Sequence, residues 1–346
     1  TGCTFAGKVG TNYTLTAAWG SLAPATSSTF SPSTFGPASQ LVFTTQPVAG
    51  ASGSAFTTQP VVTVEDSGGN TVASSSATVT LTASGGTLAS CAGLTASSGV
   101  VTVTGCTFAG KVGTNYTLTA AWGSLAPATS STFSPSTFGP ASKLVFTTQP
   151  VAGASGSAFT TQPVVTVEDS GGNTVASSSA TVTLTASGGT LASCAGLTAS
   201  SGVVTVRNCT FAGKVGTNYT LTAASGSLAP ATSSTFSPST FGPASQLVFT
   251  TQPANGGTTL SPQPVVTVED SGGNTVTSSP ASVTLAIYAY TGGTEGTLSC
   301  ATNPVNASAG VATFAGCTIT GGTATYYTLE ATASGLATAT TGSFRV

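Results

Sequence analysis

The chain of 346 residues copies itself: residues 1–39 recur without a change at 104–142, and residues 41–103 recur without a change at 144–206, a period of 103. A fixed period is the strongest constraint available, because every copy must fold into the same unit and meet its neighbours in the same way. Solenoid units run to about 20–50 residues. A copy twice that long owns its hydrophobic core. A third, diverged copy starts at about 246, where Cys317 follows Cys209 by 108 residues and the five extra residues fall around Ile287–Glu295. An insertion there reads as a lengthened loop. The expected division is therefore a half copy at 1–39, complete copies at 40–142 and 143–245, and a diverged complete copy at 246–346. Segments such as Ser134–Pro140, whose prolines favour extended backbone, read as short stiff spacers. The last copy lacks one, and its Phe344-Arg345-Val346 reads as a chain or module end.

Within the copy at 40–142, Leu41–Thr44, Val61–Val64, Val79–Thr82, Val100–Val103, Cys106–Phe108 and Tyr116–Ala120 interleave apolar residues with Thr, and Gly, Asn, Ser or Pro clusters separate them. Period-two alternation in β-branched sequence is the pattern of strands, and no segment carries helical spacing. The fold class is all-β, and a copy of about 100 residues with turns at these intervals predicts tandem Ig-like antiparallel β-sandwich domains of about seven strands each. The run Val61–Val72 (VVTVEDSGGNTV), followed by VTLT, GTL, GVVTV and YTLTA, resembles the bacterial Ig-like domains of the invasin and intimin type. Its most specific part is the strand, Asp-x-Gly-Gly-Asn turn, strand unit, at Asp66, Asp169 and Asp270. The resemblance implies a stalk or adhesive module on a bacterial surface.

Composition narrows the function further. Charged residues are 4% of the chain, against about 25% in ordinary soluble domains. Thr at the alternate strand positions accounts for this, being β-favourable and uncharged. No apolar run approaches the ~20 residues of a spanning helix. A net charge of -2 with six scattered basic residues leaves no footprint for nucleic acid and no polybasic patch for anionic lipid. Regular apolar alternation at low net charge also excludes disorder. So little self-repulsion suits a chain that assembles with its own kind. The sequence opens inside a strand at Thr-Gly-Cys with no signal peptide, so its start says nothing about compartment.

Seven cysteines form three pairs, Cys91/Cys106, Cys194/Cys209 and Cys300/Cys317, with Cys3 left over because it aligns with Cys106 and Cys209. A two-residue hairpin turn at Ser98-Gly99 places Cys91 opposite Cys106, and Ser201-Gly202 does the same for Cys194 and Cys209. In the last copy the register is two residues off and calls for a bulge; a corner crossing between sheets is the alternative geometry. With no His in the chain and no CxxC spacing, a disulfide reading outweighs a metal or redox site. Disulfides place the protein outside the cytosol, extracellular or at the cell surface.

The chemistry of catalysis is not visible. Six of the eight carboxylates are the pairs Glu65-Asp66, Glu168-Asp169 and Glu269-Asp270, one per copy. Adjacent strand residues face opposite ways, so these are no acid-base dyads. Asp66, Asp169 and Asp270 read as caps of their own turns, with Gly68, Gly69 and Asn70 supplying positive φ. A calcium site would need more carboxylates than the turn offers, and no cofactor is expected. Lys8, Lys111 and Lys214 align with Gly322 and read as solvated side chains rather than isopeptide donors. Trp19 and Trp122 align with Ser225 and read as contact residues. Sequons at Asn12, Asn115, Asn208, Asn218 and Asn306 leave glycans open. Near-identical copies with identical spacers repeat one rise and one rotation, so the expectation is a structural region of an extracellular filament or surface stalk, partnered by its own copies or neighbouring repeats. The alternative is an adhesin whose terminal copy binds carbohydrate or protein through Tyr288, Tyr290 and the loop up to Glu295. Completion of the 1–39 half copy by strands of another chain is a further possibility.

Overall fold

The computed structural model describes residues 2–254 and 256–346, and every regular element it contains is a β-strand. The chain divides into two compact units, one made of the residues up to Lys143 with Val167–Ser178, the other of Leu144–Thr166 with Ser179–Val346.

The first unit contains the copy in which the sandwich is easiest to follow. Its seven strands of three or more residues are β1 (Ala38–Thr45), β2 (Val61–Asp66), β3 (Thr80–Ala83), β4 (Thr87–Ala89), β5 (Val100–Thr102), β6 (Thr107–Ala109) and β7 (Leu118–Ala121). One layer is the antiparallel ladder β1-β2-β5. The other holds two short ladders, β3-β7 closed by Ala128–Thr129, and β4-β6 flanked by Ser54–Ala55. Strand β1 starts two residues before the sequence boundary at 40, and Leu41 N donates to Ala126 O at 3.0 Å, which ties the first layer to the edge of the second.

Burial explains why each strand reads as it does. Val62 and Val64 of the central strand β2 are fully buried among Leu41, Phe43, Val101, Val103, Phe108 and Leu118. Thr63, on the opposite face of the same strand, is also buried, and its hydroxyl meets that of Thr44 at 3.1 Å. Threonine here is a buried, hydrogen-bonded polar residue of a central strand. Phe56, Phe108, Tyr116 and Phe133 gather at one end of the core, with edge-to-face contacts at centroid distances of 4.9 to 5.2 Å.

Residues 2–37 repeat the sequence of β6 and β7 without the strands that cover them. Phe5 is 48% exposed where the identical Phe108 is 1%, and Leu15 is 60% exposed where Leu118 is fully buried. The same sequence keeps its hairpin, with Thr16–Ala17 paired to Ala25–Thr26, but not its core.

The second unit holds the diverged copy, where the insertion corrects the loop expectation. The first part of the insertion lengthens a strand: β8 (Ser282–Thr291) pairs from Thr284 onward with β9 (Tyr326–Thr332), absorbing Tyr288 in a bulge between Ile287 and Ala289, while Gly292–Glu295 form the loop beyond it. The Cys300/Cys317 spacing is also two residues longer than in the other copies, offset by two fewer residues before Asp270, and the bends at Ala301–Pro304 lie within it. There Asn303 bonds Leu285 N at 2.9 Å and Leu285 O at 2.8 Å, standing in for a ladder residue.

Candidate functional site: the aspartate turn and its socket

Each Asp-x-Gly-Gly-Asn turn is built locally first. In the first unit Asp169 Oδ1 accepts from Gly171 N at 2.8 Å and Asn173 N at 2.9 Å, the pattern of an Asx cap. The same geometry recurs at Asp66 with Gly68 and Asn70, and at Asp270 with Gly272 and Asn274. Of the residues expected to hold positive φ, only the second glycine does: Gly69, Gly172 and Gly273 lie at 78°, 85° and 80°, while Gly68 and Asn70 stay in ordinary backbone. The first glycine is required for space. A Cβ at Gly171 would run into the Gly110 backbone and the Ser52 hydroxyl.

That collision marks what the sequence reading missed. The turn is a plug, and its socket belongs to the preceding copy. Asn173 Nδ2 donates to Gly110 O at 2.9 Å while Val112 N donates to Asn173 Oδ1 at 2.9 Å, a two-way clasp on one peptide segment. Asp169 Oδ2 accepts from Gly139 N at 2.7 Å, so the segment read as a stiff spacer is pinned to the turn. Ser52, fully buried, completes the socket: its N donates to Thr137 O at 2.9 Å and its hydroxyl accepts from Gly110 N at 3.3 Å. Asn70 makes the equivalent clasp with Gly7 O and Val9 N in the first unit, and Asp66 takes Gly36 N at 2.8 Å. In the second unit Asn274 clasps Gly213 O and Val215 N, and Asp270 takes Gly242 N at 2.7 Å, with Ser155 in the place of Ser52.

The three aspartates are buried at no more than 2% exposure. At Asp66 the Asn70 amide holds the carboxyl below the usual carboxylate range, overcoming burial with help from Gly36, the Asn70 side chain and Gly68. At Asp169 and Asp270 burial alone pushes the pKa up, but the bonds from Gly139 or Gly242, from Asn173 or Asn274 and from Gly171 or Gly272 outweigh it, and the net direction is again down. Ionised carboxylates accepting several N–H bonds suit a fixed joint, and leave no lone pair directed at a substrate.

The structure joins Cys91 to Cys106, Cys194 to Cys209 and Cys300 to Cys317, with Cys3 free and exposed. The two-residue turn is present, with Ser98 at φ 51° and Gly99 at 74° and Ser97 bridged to Val100. The register then slips by one, since Ala92 faces Thr104. The chain passes from the first layer at Thr102 to the second at Thr107, and the fully buried Cys106 sits at that corner. The corner crossing is thus the geometry found, in place of a hairpin whose last copy is corrected by a bulge.

Lys111 extends over Gly172, and a Cβ there would lie 3.6 Å from its Cε; Lys8 and Lys214 sit likewise over Gly69 and Gly273. Beside this joint an open groove of about 600 Å³ has Lys111 as the one titratable group among the described residues of its lining. Trp19 and Trp122 are 81% and 41% exposed. Asn12, Asn115, Asn208, Asn218 and Asn306 are all exposed. Among the described residues no three His, Cys, Asp or Glu side chains converge as a metal would need.

No protein-family model matches the chain. No curated protein matches it either. Solved structures do. FdeC, an Escherichia coli adhesin, is 16% identical over 87% of this chain and 95% of its own, with a TM-score of 0.25. Domains 4–9 of the surface layer protein SbsC are 16% identical over 89% of this chain and 47% of theirs, also at 0.25. A β-glucuronidase of Parabacteroides merdae is 14% identical over 58% of this chain and 24% of its own, at 0.24.

Proposed function

We propose that this chain is a structural, non-catalytic repeat region of an extracellular filament or surface stalk, folded as a half domain at 1–39, Ig-like domains at 40–142 and 143–245, and a diverged one at 246–346. One observation carries the reading: a buried Asp and a half-buried Asn on each turn are committed to a joint with the preceding copy, three times over, through the same bonds. A surface built to hold its own neighbour in one geometry is what a stiff array needs, and it stabilises by nearest-neighbour terms. Three disulfides in a chain this size fit an oxidising compartment, which supports an extracellular location. Electron microscopy of material from the cell surface tests the reading. The expected outcome is a continuous filament or stalk with an axial repeat of one domain, and globular particles without that repeat overturn it.

A second reading, an adhesin, has a specific observation in its favour. Tyr288, Tyr290 and Tyr326 are 63%, 43% and 46% exposed on the paired strands of the diverged copy. Replacing Tyr288 and Tyr290 by Ala abolishes attachment to host cells or to an immobilised glycan panel if this face is adhesive, and leaves attachment unchanged if it is not.

A further inference from the structure

The diverged copy enters the preceding copy's socket through Asp270 and Asn274, like the others, so the state of its own socket decides whether another copy can dock behind it. The positions correspond by residue count: Tyr327 lies ten residues after Cys317, as Tyr116 lies ten after Cys106, and Tyr327 pairs with Phe344 as Tyr116 pairs with Phe133. Thr323 therefore stands where Val112 stands, Gly322 where Lys111 stands and Gly321 where Gly110 stands. Leu260 N donates to Cys317 O as Phe56 N donates to Cys106 O, which puts Gly256 in the place of Ser52.

In the three formed joints the amide of Val9, Val112 or Val215 is the donor that the incoming Asn oxygen takes. In the diverged copy the equivalent donor is already used. Thr323 N donates to Thr294 O at 3.2 Å, Ala324 N donates to the same oxygen at 3.0 Å, and Thr294 N returns a bond to Thr323 Oγ1 at 3.0 Å. Thr294 belongs to the insertion that extends past β8. Gly293 lies against the Thr323–Ala324 peptide closely enough that a Cβ there would collide with it. A Cβ at Gly322 would lie 2.5 Å from Gly296 N, so the lysine of the other copies does not fit. The buried serine hydroxyl of the socket is gone as well, with glycine in its place.

We infer that the diverged copy is an end piece: its insertion occupies its own socket, so that no further Asp-x-Gly-Gly-Asn turn docks behind it and an array of these repeats stops there. This rests on the turn-in-socket reading proposed above. Terminal repeats that close an array with altered loops are a general need of stacked architectures, since an open docking face otherwise recruits the next copy.

The test extends the full chain beyond Val346 with a spacer and one more complete copy, repeating the sequence of residues 135–245, and measures by single-particle electron microscopy the spread of angles between successive copies. The expected result is a broad distribution at the added joint and narrow ones at the joints carrying Asp169 and Asp270. An added joint as narrow as those overturns the end-piece inference, whereas breadth at every joint overturns the turn-in-socket reading instead. A second form of the extended chain, lacking Gly292–Glu295 and carrying Gly256→Ser, Gly322→Lys and Thr323→Val, is expected to narrow the added joint. If it folds and the joint stays broad, the insertion is not what closes the socket. The first measurement stands whether or not this form folds.

Discussion

At the scale of single residues, Asn173 is the one whose loss should be felt furthest from its own position. Its amide donates to Gly110 O and to Asp169, and its oxygen takes Val112 N, so Asn173→Ala leaves a buried carboxylate short of a donor and releases Gly110 O and Val112 N of the preceding copy from the joint. Bonds to a charged group contribute roughly 1.5–3 kcal/mol each and an orphaned buried group costs a similar amount. We expect Asn173→Ala to weaken this joint by about 2–4 kcal/mol while its own sandwich stays folded, read as faster amide exchange at Gly110–Val112 with an unchanged circular dichroism spectrum. Trp122 offers the opposite expectation. The copy at 143–245 carries Ser225 there and keeps the same strand, Leu221–Ala224, with the same burial pattern. Trp122→Ser should therefore change stability by less than about 0.5 kcal/mol, as surface substitutions do, and a larger loss in denaturant titration would mean the indole has a partner. The Asp cap was legible because its donors lie two and four residues away; the clasp was not, because its partners lie 61 and 63 residues away and no local pattern encodes them. A signal was available in the diverged copy, which changes Ser52 to glycine and Lys111 to glycine in its socket yet retains Glu-Asp-Ser-Gly-Gly-Asn intact.

Strands and turns were the legible level, since alternation of Val with Thr fixes which side chains face the core whatever the partner strand is. The insertion at Ile287–Glu295 was expected to be a loop and is strand as far as Thr291, because a bulge lets β8 keep pairing with β9 past Ile287, and bulges leave no mark in a period-two pattern. The cysteine segment, read as a hairpin with a corner crossing as the alternative, turns the corner, because Val100–Thr102 pairs with β2 rather than with the segment it turned from. The disulfide spans that corner and closes a loop with a sequence separation of 15. In the loop-entropy model this contributes about 3 kcal/mol. Cys91→Ser with Cys106→Ser should lower the thermal midpoint of that copy by roughly 12–24 °C at 4–8 °C per kcal/mol, measured by calorimetry against the intact chain. No change would mean the corner is held by packing alone. The joints are equally sensitive to volume. Gly139 has ordinary φ, but a Cβ there would strike the carbonyl of buried Ser52. Gly139→Ala should therefore open the joint, seen as accelerated exchange at Ser52 and Gly139, without unfolding either set of strands.

For the molecule as a whole, the low charge count turns the joints into its main acid-sensitive feature. There is no His, and the three joint aspartates are held below the usual carboxylate range. A carboxyl whose folded pKa lies below its unfolded value contributes stability that is fully present above the unfolded value, near ~4, and is lost as pH falls through the lowered folded value. All three shifts have the same sign and the same bonding pattern, so acid should act on every joint in one window. Each sandwich core is apolar and its cross-strand bonds are neutral, so that window should loosen the array before it melts the sheets. The expected record is a flat thermal midpoint from pH 7 down to about 4, then a fall, with the spread of angles between copies widening over the same interval. Replacing Asp169 and Asp270 by Asn removes the ionisable group while keeping its size. That variant should start at pH 7 with wider joints and lose most of the acid dependence, leaving the share that belongs to Asp66. A double variant that still falls as steeply below pH 4 would place the acid sensitivity elsewhere in the chain. It would also remove the carboxylates from the role of holding successive copies in register.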